Sequence, residues 1–405
     1  SRGASDFFSA GPGSKDRTLP RGSSRIGDMS PNPFRFGTPI EGRLLIGRER
    51  ESEAILQAVK EGRGLALVAP RGMGKTALLA DVLKTWRHTG GPAVYVDFLA
   101  AVNSRRFAEI YASALTLEPT QTVESMQEAV QQLVPSFMPR VTITGSGRPG
   151  LQLDLWDRER DLRAVMQRIL ETPNQLAEGN KPLALVYDGF EDLLANAEQS
   201  LLDEFAKSIR QHRNVAHFFT LRKELTAKAI FGSERTPFYR LAEPVALEPV
   251  PAAPWIEGLM PHFEAAGAPL DRDLLENAIG IAAGIPWAVQ TLCHSLVSAI
   301  RASGKATDAE LQGALAEVLE SHHYGYRAVW DPLSLHQRNL VLAIAQGFTE
   351  RLHSQRMVFD LGLGSPSTVS KNLKTLTDRE LLQKSGSGVS FVDPFFGHWL
   401  LRRMT

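Results

Sequence analysis

The chain of 405 residues contains a single cysteine, Cys293, and carries no net charge. One cysteine forms no intrachain disulfide and cannot supply the thiolates of a metal cluster, so a disulfide-stabilised or cysteine-metal fold is excluded. With 45 basic and 45 acidic residues, the molecule as a whole is not expected to bind nucleic acid through its net charge. A basic surface on one domain remains compatible with this balance.

Long apolar stretches are also absent, since no run reaches the roughly 18 residues that a membrane-spanning helix needs. The N-terminal residues include no apolar run of the kind found in a secretory signal. We therefore expect no membrane partner and a cytoplasmic location. Residues 1–33 are rich in glycine, serine, proline and arginine without periodicity, and they are predicted to form a disordered tail.

From Phe34 onward, short apolar runs alternate with segments of helical periodicity. Five runs predict buried strands, at residues 65–69, 93–98, 181–188, 215–220 and 244–250. Because strands that alternate with helices are typical of a parallel sheet, residues 34–251 are predicted to form an α/β core. Two alternating runs around the turn Gly145–Gly150 predict a β-hairpin inserted at about 140–155.

Two further domains are predicted after the core. The strand pattern stops after residue 251, and successive helical segments predict a helical lid domain at residues 252–330. In residues 331–405, three helices are followed by a tight hairpin, which is the order of a winged helix-turn-helix domain.

The segment Ala69–Thr76 (A-P-R-G-M-G-K-T) stands between a predicted strand and a predicted helix, the context that a phosphate-binding loop requires. Small residues let backbone N–H groups turn towards a polyphosphate, and the helix start adds further donors. Lys75 is predicted to neutralise the β- and γ-phosphates of ATP, and Thr76 to ligate Mg²⁺. The residues predicted to hold the nucleotide are Pro70, Arg71, Gly72, Met73, Gly74, Lys75, Thr76 and Ala77.

The buried run that ends in Asp188 predicts a second part of the same site. An acid at the tip of a parallel strand can reach the Mg²⁺ shell beside the loop, so Asp188 is predicted as a metal ligand with Thr76. Many ATPases have a glutamate directly after this acid that orients the attacking water, and here that position is Gly189. Either Glu191 takes this catalytic role, or hydrolysis is slow or absent and the nucleotide acts as a binding switch.

Two more residues are candidates for sensing the nucleotide. Thr220 ends the fourth predicted strand, where a polar side chain can detect the γ-phosphate, although a surface loop residue is the alternative. Arg240 precedes the fifth strand, and its guanidinium would suit a finger on the nucleotide of a neighbouring subunit. A solvated surface arginine is the alternative for Arg240.

The third helix of the C-terminal domain is rich in hydrogen-bond donors suited to phosphates and base edges. The predicted DNA-contacting residues are Ser367, Thr368, Ser370, Lys371, Asn372 and Lys374. Residues 331–405 contain nine basic and six acidic residues, a small excess that favours DNA. A winged helix that contacts protein or has only a packing role is the alternative.

The order of these motifs resembles the "archaeal ATPase" family, which is similar to STAND NTPases and to origin-recognition-type AAA+ ATPases. The resemblance rests on L-I-G-R-E-R-E from Leu45, on the phosphate loop, on G-I-P from Gly284 and on F-V-D-P-F-F-G-H-W-L from Phe391. It implies that Gly47 and Arg48 lie near the adenine and that Pro286 faces the nucleotide from the lid.

Together these features predict a P-loop NTPase core with a helical lid and a C-terminal winged helix, with ATP and Mg²⁺ as cofactors. The first functional hypothesis is an ATPase that couples its nucleotide state to binding of double-stranded DNA. The second is a STAND-type switch that forms a homo-oligomer with ATP and uses the winged helix for a partner protein. A third, a nucleotide-binding scaffold without turnover, follows from Gly189.

Overall fold

The computed structural model describes residues 31–34, 45–116, 139–143, 149–153, 160–177 and 179–404. The strands are β1 (Leu65–Val68), β2 (Ala93–Asp97), β3 (Pro139–Ile143), β4 (Pro149–Leu153), β5 (Leu183–Asp188), β6 (Val215–Leu221), β7 (Glu243–Ala246), β8 (Leu382–Ser385) and β9 (Gly388–Phe391). The helices of the first half are α1 (Glu49–Glu61), α2 (Lys75–His88), α3 (Ser104–Thr116), α4 (Arg160–Leu176), α5 (Phe190–Asn196), α6 (Gln199–Gln211) and α7 (Glu224–Phe231).

The central sheet has five parallel strands in the order β2-β5-β6-β1-β7. This arrangement confirms the predicted α/β fold with a parallel sheet. Strand β1 is buried at all four positions because it has strands on both sides and helices on both faces. Strand β7 lies at the edge, where Pro244 can be accommodated without removing an internal ladder hydrogen bond.

Each face of the sheet has its own apolar core. On one face, α2 buries Leu78, Leu79, Val82, Leu83 and Trp86, whose spacing of three and four residues forms a single helical stripe. The other face carries stacked aromatic rings, among them Phe98 and Tyr187 with centroids 5.9 Å apart. The sheet is therefore held from both sides, and its carboxyl edge is left for polar residues.

The chain after β7 is mainly helical. Its first helices are α8 (Ala252–Ala265), α9 (Arg272–Ile281), α10 (Pro286–Ser303) and α11 (Asp308–Ser321). These helices are capped: the Asp271 side chain accepts from the Leu274 amide at 2.7 Å, and Gly304 ends α10 in the left-handed region. Pro286 is the first residue of α10, where its missing N–H costs no hydrogen bond.

The C-terminal part forms a winged helix. Its helices are α12 (His323–Trp330), α13 (Leu335–Ala345), α14 (Gln355–Asp360), α15 (Pro366–Asp378) and α16 (Pro394–Met404). Serine caps begin three of them, at Ser334, Ser354 and Ser365. Strands β8 and β9 pair antiparallel and form the wing. A C-terminal winged helix is thus confirmed.

The predicted N-terminal tail extends too far by a few residues. Asn32 donates to the carbonyl oxygen of His294 at 3.0 Å, and the Phe34 ring is fully buried against Phe263. These contacts attach residues 32–34 to α8 and α10, whereas residues 1–30 lie outside the described residues.

The inserted pair β3–β4 is antiparallel and lies within the segment where a hairpin is predicted. Within the described part of the chain, no helix has both the length and the apolarity to cross a membrane.

Candidate nucleotide-binding site

The loop between β1 and α2 has the backbone of a phosphate cradle. Gly72 and Gly74 have φ values of 83° and 82°, a region in which a side chain is strained, and this explains the two glycines of the motif. Met73 between them is buried, so only its backbone faces the loop. The first turn of α2, with Thr76 and Ala77, presents its free N–H groups at the carboxyl edge of the sheet.

Lys75 is held inside this loop. Its ammonium group donates to the carbonyl oxygens of Ala69 and, at 3.0 Å, of Pro70. Burial lowers the pKa of Lys75 to about 8, because removal from water disfavours the charged form. A polyphosphate bound in the loop would stabilise the charged form of the Lys75 side chain. The loop is therefore suited to bind an anion.

Asp188 lies at the centre of a hydrogen-bond network. Its Oδ2 accepts from the Thr76 hydroxyl at 2.7 Å and from the Tyr95 hydroxyl. Its Oδ1 accepts from the Thr220 hydroxyl and from the Gly189 amide at 3.0 Å. Burial by itself raises the pKa of Asp188, but the hydrogen bonds outweigh this effect and the pKa lies below its ordinary value. Asp188 is therefore anionic at neutral pH.

Asp188 and Thr76 fit a magnesium ion. Their oxygens lie side by side, and Mg²⁺ prefers hard oxygen donors, usually one or two from the protein together with substrate phosphates. When bound there, the ion would neutralise charge that develops on the phosphates. Thr220, the predicted sensor, is buried beside this pair, with its hydroxyl directed to Asp188.

The expectation for Glu191 is not supported by its contacts. Its Oε1 accepts from the amides of Arg222 at 3.0 Å and Lys223 at 3.2 Å, and its Oε2 lies 2.8 Å from Nε of Arg222. Both oxygens are thus engaged in holding the chain where it leaves β6. Gly189 cannot easily carry the missing glutamate either, because its φ is 68° and a Cβ there would lie 3.2 Å from the Leu99 amide nitrogen.

The lid closes over the phosphate loop through the start of α10. The Trp287 amide donates to the Gly72 carbonyl oxygen at 3.0 Å. Pro286 lies directly above Gly74, at 3.9 Å from the position of a Cβ there. The G-I-P segment therefore contacts the loop, and contact between Pro286 and a nucleotide stays a prediction.

Arg48 lies at the junction of α1 and the phosphate loop, and its position near the adenine stays a prediction. The Arg48 side chain is buried, with Nη1 at 2.7 Å from Glu51 and Nη2 donating to the carbonyl oxygens of Glu248 at 2.8 Å and Met73 at 3.4 Å. Its donors are used to join α1, the phosphate loop and the segment after β7. Gly47 supports the same junction, since a Cβ there would lie 2.5 Å from the Val250 side chain.

Arg240 lies at the opposite edge of the sheet from the phosphate loop. Strand β7 starts at Glu243, which is in register with Leu65 at the amino end of β1, whereas the loop follows Val68 at the carboxyl end. The Arg240 guanidinium stacks over the Tyr239 ring at 4.8 Å and is exposed. Arg240 therefore cannot reach the nucleotide of its own chain, and a role on a neighbouring subunit stays a prediction.

The predicted DNA-contacting helix, α15, exposes four of its six candidates. Their spacing of three and four residues forms one stripe, which consists of Ser367, Ser370, Lys371 and Lys374. The prediction that Asn372 contacts DNA needs correction, because this residue shares the inward face with Val369 and Leu376 and is only 8% exposed. Thr368 is partly buried, and its amide donates to the capping Ser365 hydroxyl at 3.1 Å.

The far end of α15 contacts the nucleotide site. Glu380, just after this helix, has Oε1 at 3.0 Å from Nε of Arg222 and Oε2 at 3.7 Å from Nε of Arg71 in the phosphate loop. Lys223 also donates to the Asp378 carbonyl oxygen at 2.8 Å. Sequence reasoning missed Glu380, because a contact between residues so far apart in the chain leaves no local pattern.

ATP affinity is expected to decline as the pH rises through about 8. Contact with phosphate raises the pKa of Lys75 above its value of about 8 in the ligand-free protein. The lysine's contribution to ATP affinity is therefore complete below pH 8 and is lost as the pH rises above it. The Kd for ATP should rise by up to about tenfold per pH unit above pH 8. Calorimetric titrations between pH 7.5 and 9.5 measure this dependence, and a constant Kd would show that Lys75 does not contact phosphate.

Comparisons with known proteins agree with this geometry. A protein-family profile described as "AAA ATPase domain" matches residues 44–219, and one described as "Probable winged helix domain" matches residues 324–402. The second match begins within α12, before the boundary predicted at residue 331. No curated protein sequence matches the chain significantly.

Solved structures share the fold over nearly the whole chain. The Walker-type ATPase of Pyrococcus abyssi has a TM-score of 0.60 at 15% identity, over 87% of this chain and 95% of that chain. The ORC2 protein of Aeropyrum pernix, in ADPNP–ADP complexes, has a TM-score of 0.53 at 12% identity, over 90% and 96% of the two chains. The chain therefore contains a region that matches the AAA ATPase domain, at residues 44–219, followed by one that matches a winged helix domain, at residues 324–402.

Proposed function

We propose that this protein binds ATP with Mg²⁺ in the phosphate loop and uses the nucleotide to control binding of double-stranded DNA by its winged helix. The observation that carries the proposal is the contact of Glu380 with Arg71 and Arg222. This contact joins the end of the DNA-facing helix to the phosphate loop and to the tip of β6.

The physical basis of this coupling is competition between anions. Arg71 and Arg222 stand at the loop and at the strand end, where the terminal phosphate of ATP would come closest. A triphosphate and the Glu380 carboxylate both favour these guanidinium groups and repel each other. ATP therefore binds more tightly to a state in which Glu380 has moved away, and by linkage it populates that state.

The DNA part of the proposal is supported by the exposed stripe on α15. Two lysines and two serines on one helical face suit phosphates and base edges. The opposite end of the same helix is tied to the core by Glu380 and Asp378, so α15 cannot settle into a groove independently of the ATPase domain. Release of that end would free the domain to orient on a duplex.

The test compares DNA affinity with ADP and with a non-hydrolysable ATP analogue at low salt. We expect wild-type protein to bind a duplex about 3- to 10-fold tighter with the analogue, the size of one partly buried ion pair of roughly 1 kcal/mol. Glu380→Gln should bind with ADP as tightly as wild type binds with the analogue.

Asp360→Asn is the matched control, because Asp360 also lies in the winged helix but pairs only with the exposed Arg356, at 3.4 Å, among the described residues. Absence of duplex binding at low salt would refute the DNA part of the proposal. Equal affinity with both nucleotides in wild type would refute the coupling.

A second candidate function is a switch whose winged helix contacts a protein. The side chains of Tyr324 on α12 and Phe359 on α14 are 87% and 86% exposed, and exposed aromatic residues are common anchors of protein interfaces. In this case light scattering should show a larger assembly with ATP than with ADP, without any affinity for DNA. An unchanged mass in both states would exclude the oligomerising switch.

A further inference from the structure

Strand β2 ends in a carboxylate that neighbours the candidate magnesium ligand. Asp97 is in register with Asp188 on the adjacent strand β5, and neighbouring strands lie about 4.8 Å apart. Register partners in a parallel pair project to the same face of the sheet. Tyr95 identifies this face, because it lies two residues before Asp97 on the same face of β2 and its hydroxyl donates to Asp188. Thr76 donates to Asp188 from the same side.

The other carboxylates at this edge are already engaged. Asp188 accepts four hydrogen bonds, Glu191 accepts from Arg222 and Lys223, and Asp192 lies 3.1 Å from Nη2 of Arg222. Among the residues that the structure describes, the one hydrogen bond recorded for Asp97 runs to its Oδ1 from the Leu99 amide, at 3.0 Å. Oδ2 of Asp97 is thus available to a water molecule at the carboxyl edge of the sheet.

We propose that Asp97 orients the attacking water for ATP hydrolysis, in place of the glutamate that Gly189 replaces. This inference rests on the proposed binding of ATP in the phosphate loop. The water oxygen forms a bond to the γ-phosphorus while the bond from that phosphorus to the β–γ bridging oxygen breaks. ADP leaves with the bonding electrons, and Asp97 accepts a water proton and passes it to solvent, which leaves ADP and inorganic phosphate.

Asp97→Asn is the variant that separates this role from a structural one. Asparagine keeps an Oδ1 that accepts from the Leu99 amide, so the turn after β2 is preserved. It loses the negative charge and the ability to accept a proton. We expect kcat for phosphate release to fall about 100-fold or more, while the Kd for ATP stays within about threefold. Asp97→Glu should recover part of the lost turnover.

Glu191→Gln is the comparison at the competing position, and we expect it to lose much less turnover than Asp97→Asn, because its carboxylate is engaged by Arg222 and Lys223. Turnover that survives Asp97→Asn, or that is lost in Glu191→Gln alone, overturns the assignment. Wild-type protein that binds ATP but releases no phosphate also overturns it, yet leaves the nucleotide-controlled winged helix standing. Absence of ATP binding in wild type refutes both proposals.

Discussion

Lys75→Ala is expected to weaken ATP binding about 100-fold without unfolding the protein. The ammonium group is buried inside the phosphate loop beside the carbonyl oxygens of Ala69 and Pro70, so a bound polyphosphate would gain charged hydrogen bonds at low dielectric. Charged hydrogen bonds contribute about 1.5–3 kcal/mol each, and 1.4 kcal/mol corresponds to a tenfold change in Kd. Alanine is the best helix former, so the start of α2 should persist.

The control for this variant is Lys84→Ala, which removes the same charge from an exposed position on the same helix. Calorimetry should show wild-type affinity for Lys84→Ala and a strongly reduced affinity for Lys75→Ala, with similar melting temperatures. If Lys75→Ala bound ATP as tightly as wild type, the assignment of the nucleotide site would be wrong.

Gly284→Ala is expected to cost about 3 kcal/mol or more in the free energy of unfolding. Gly284 has a φ of 65°, and a Cβ there would lie 2.4 Å from the Val250 carbonyl oxygen, which is backbone and cannot rotate away. The left-handed conformation contributes about 1–2 kcal/mol, and overpacking contributes about 1–3 kcal/mol. The variant should also shift the start of α10, whose Trp287 amide is bonded to Gly72, and so weaken ATP binding.

Gly304→Ala at the other end of α10 is a matched control. Gly304 has nearly the same φ, 69°, but a Cβ there would meet no described atom of the chain within 4 Å. In a chain of 405 residues, 1 kcal/mol corresponds to a shift of roughly 1 °C in Tm. Thermal unfolding should therefore show a loss of about 1–2 °C for Gly304→Ala and about 3 °C or more for Gly284→Ala. Equal losses would show that backbone conformation, rather than the contact with Val250, is the cause.

The core of the site was predictable because its signals are local. The strand Leu65–Val68, the loop with Gly72 and Gly74, and the helix from Lys75 follow one another in the chain, so their residue pattern identifies them. Asp188 was predictable for a related reason, since parallel strands bring their carboxyl ends to one edge wherever they lie in the order. The same rule applies to Asp97, which is the last residue of β2.

The contacts that the sequence did not predict are those whose partners are distant in the chain. Glu191 looked available for catalysis until the fold placed its carboxylate on the backbone of Arg222 and Lys223. Arg48 looked like a ligand contact, and folding used its donors on carbonyl groups of the phosphate loop and of the segment after β7. Composition and motif spacing carry no information on such pairings.

The amino-acid order thus determined the kind of site, a phosphate loop with an acid beside it, because glycine φ angles, helix starts and strand ends are local properties. Only the tertiary structure decided which carboxylate remains available for water and which one, Glu380, joins the winged helix to the loop. The availability of a carboxylate and the contact of Glu380 both depend on which side chains meet after folding. Hydrogen bonds and ion pairs between residues distant in the chain determine these contacts.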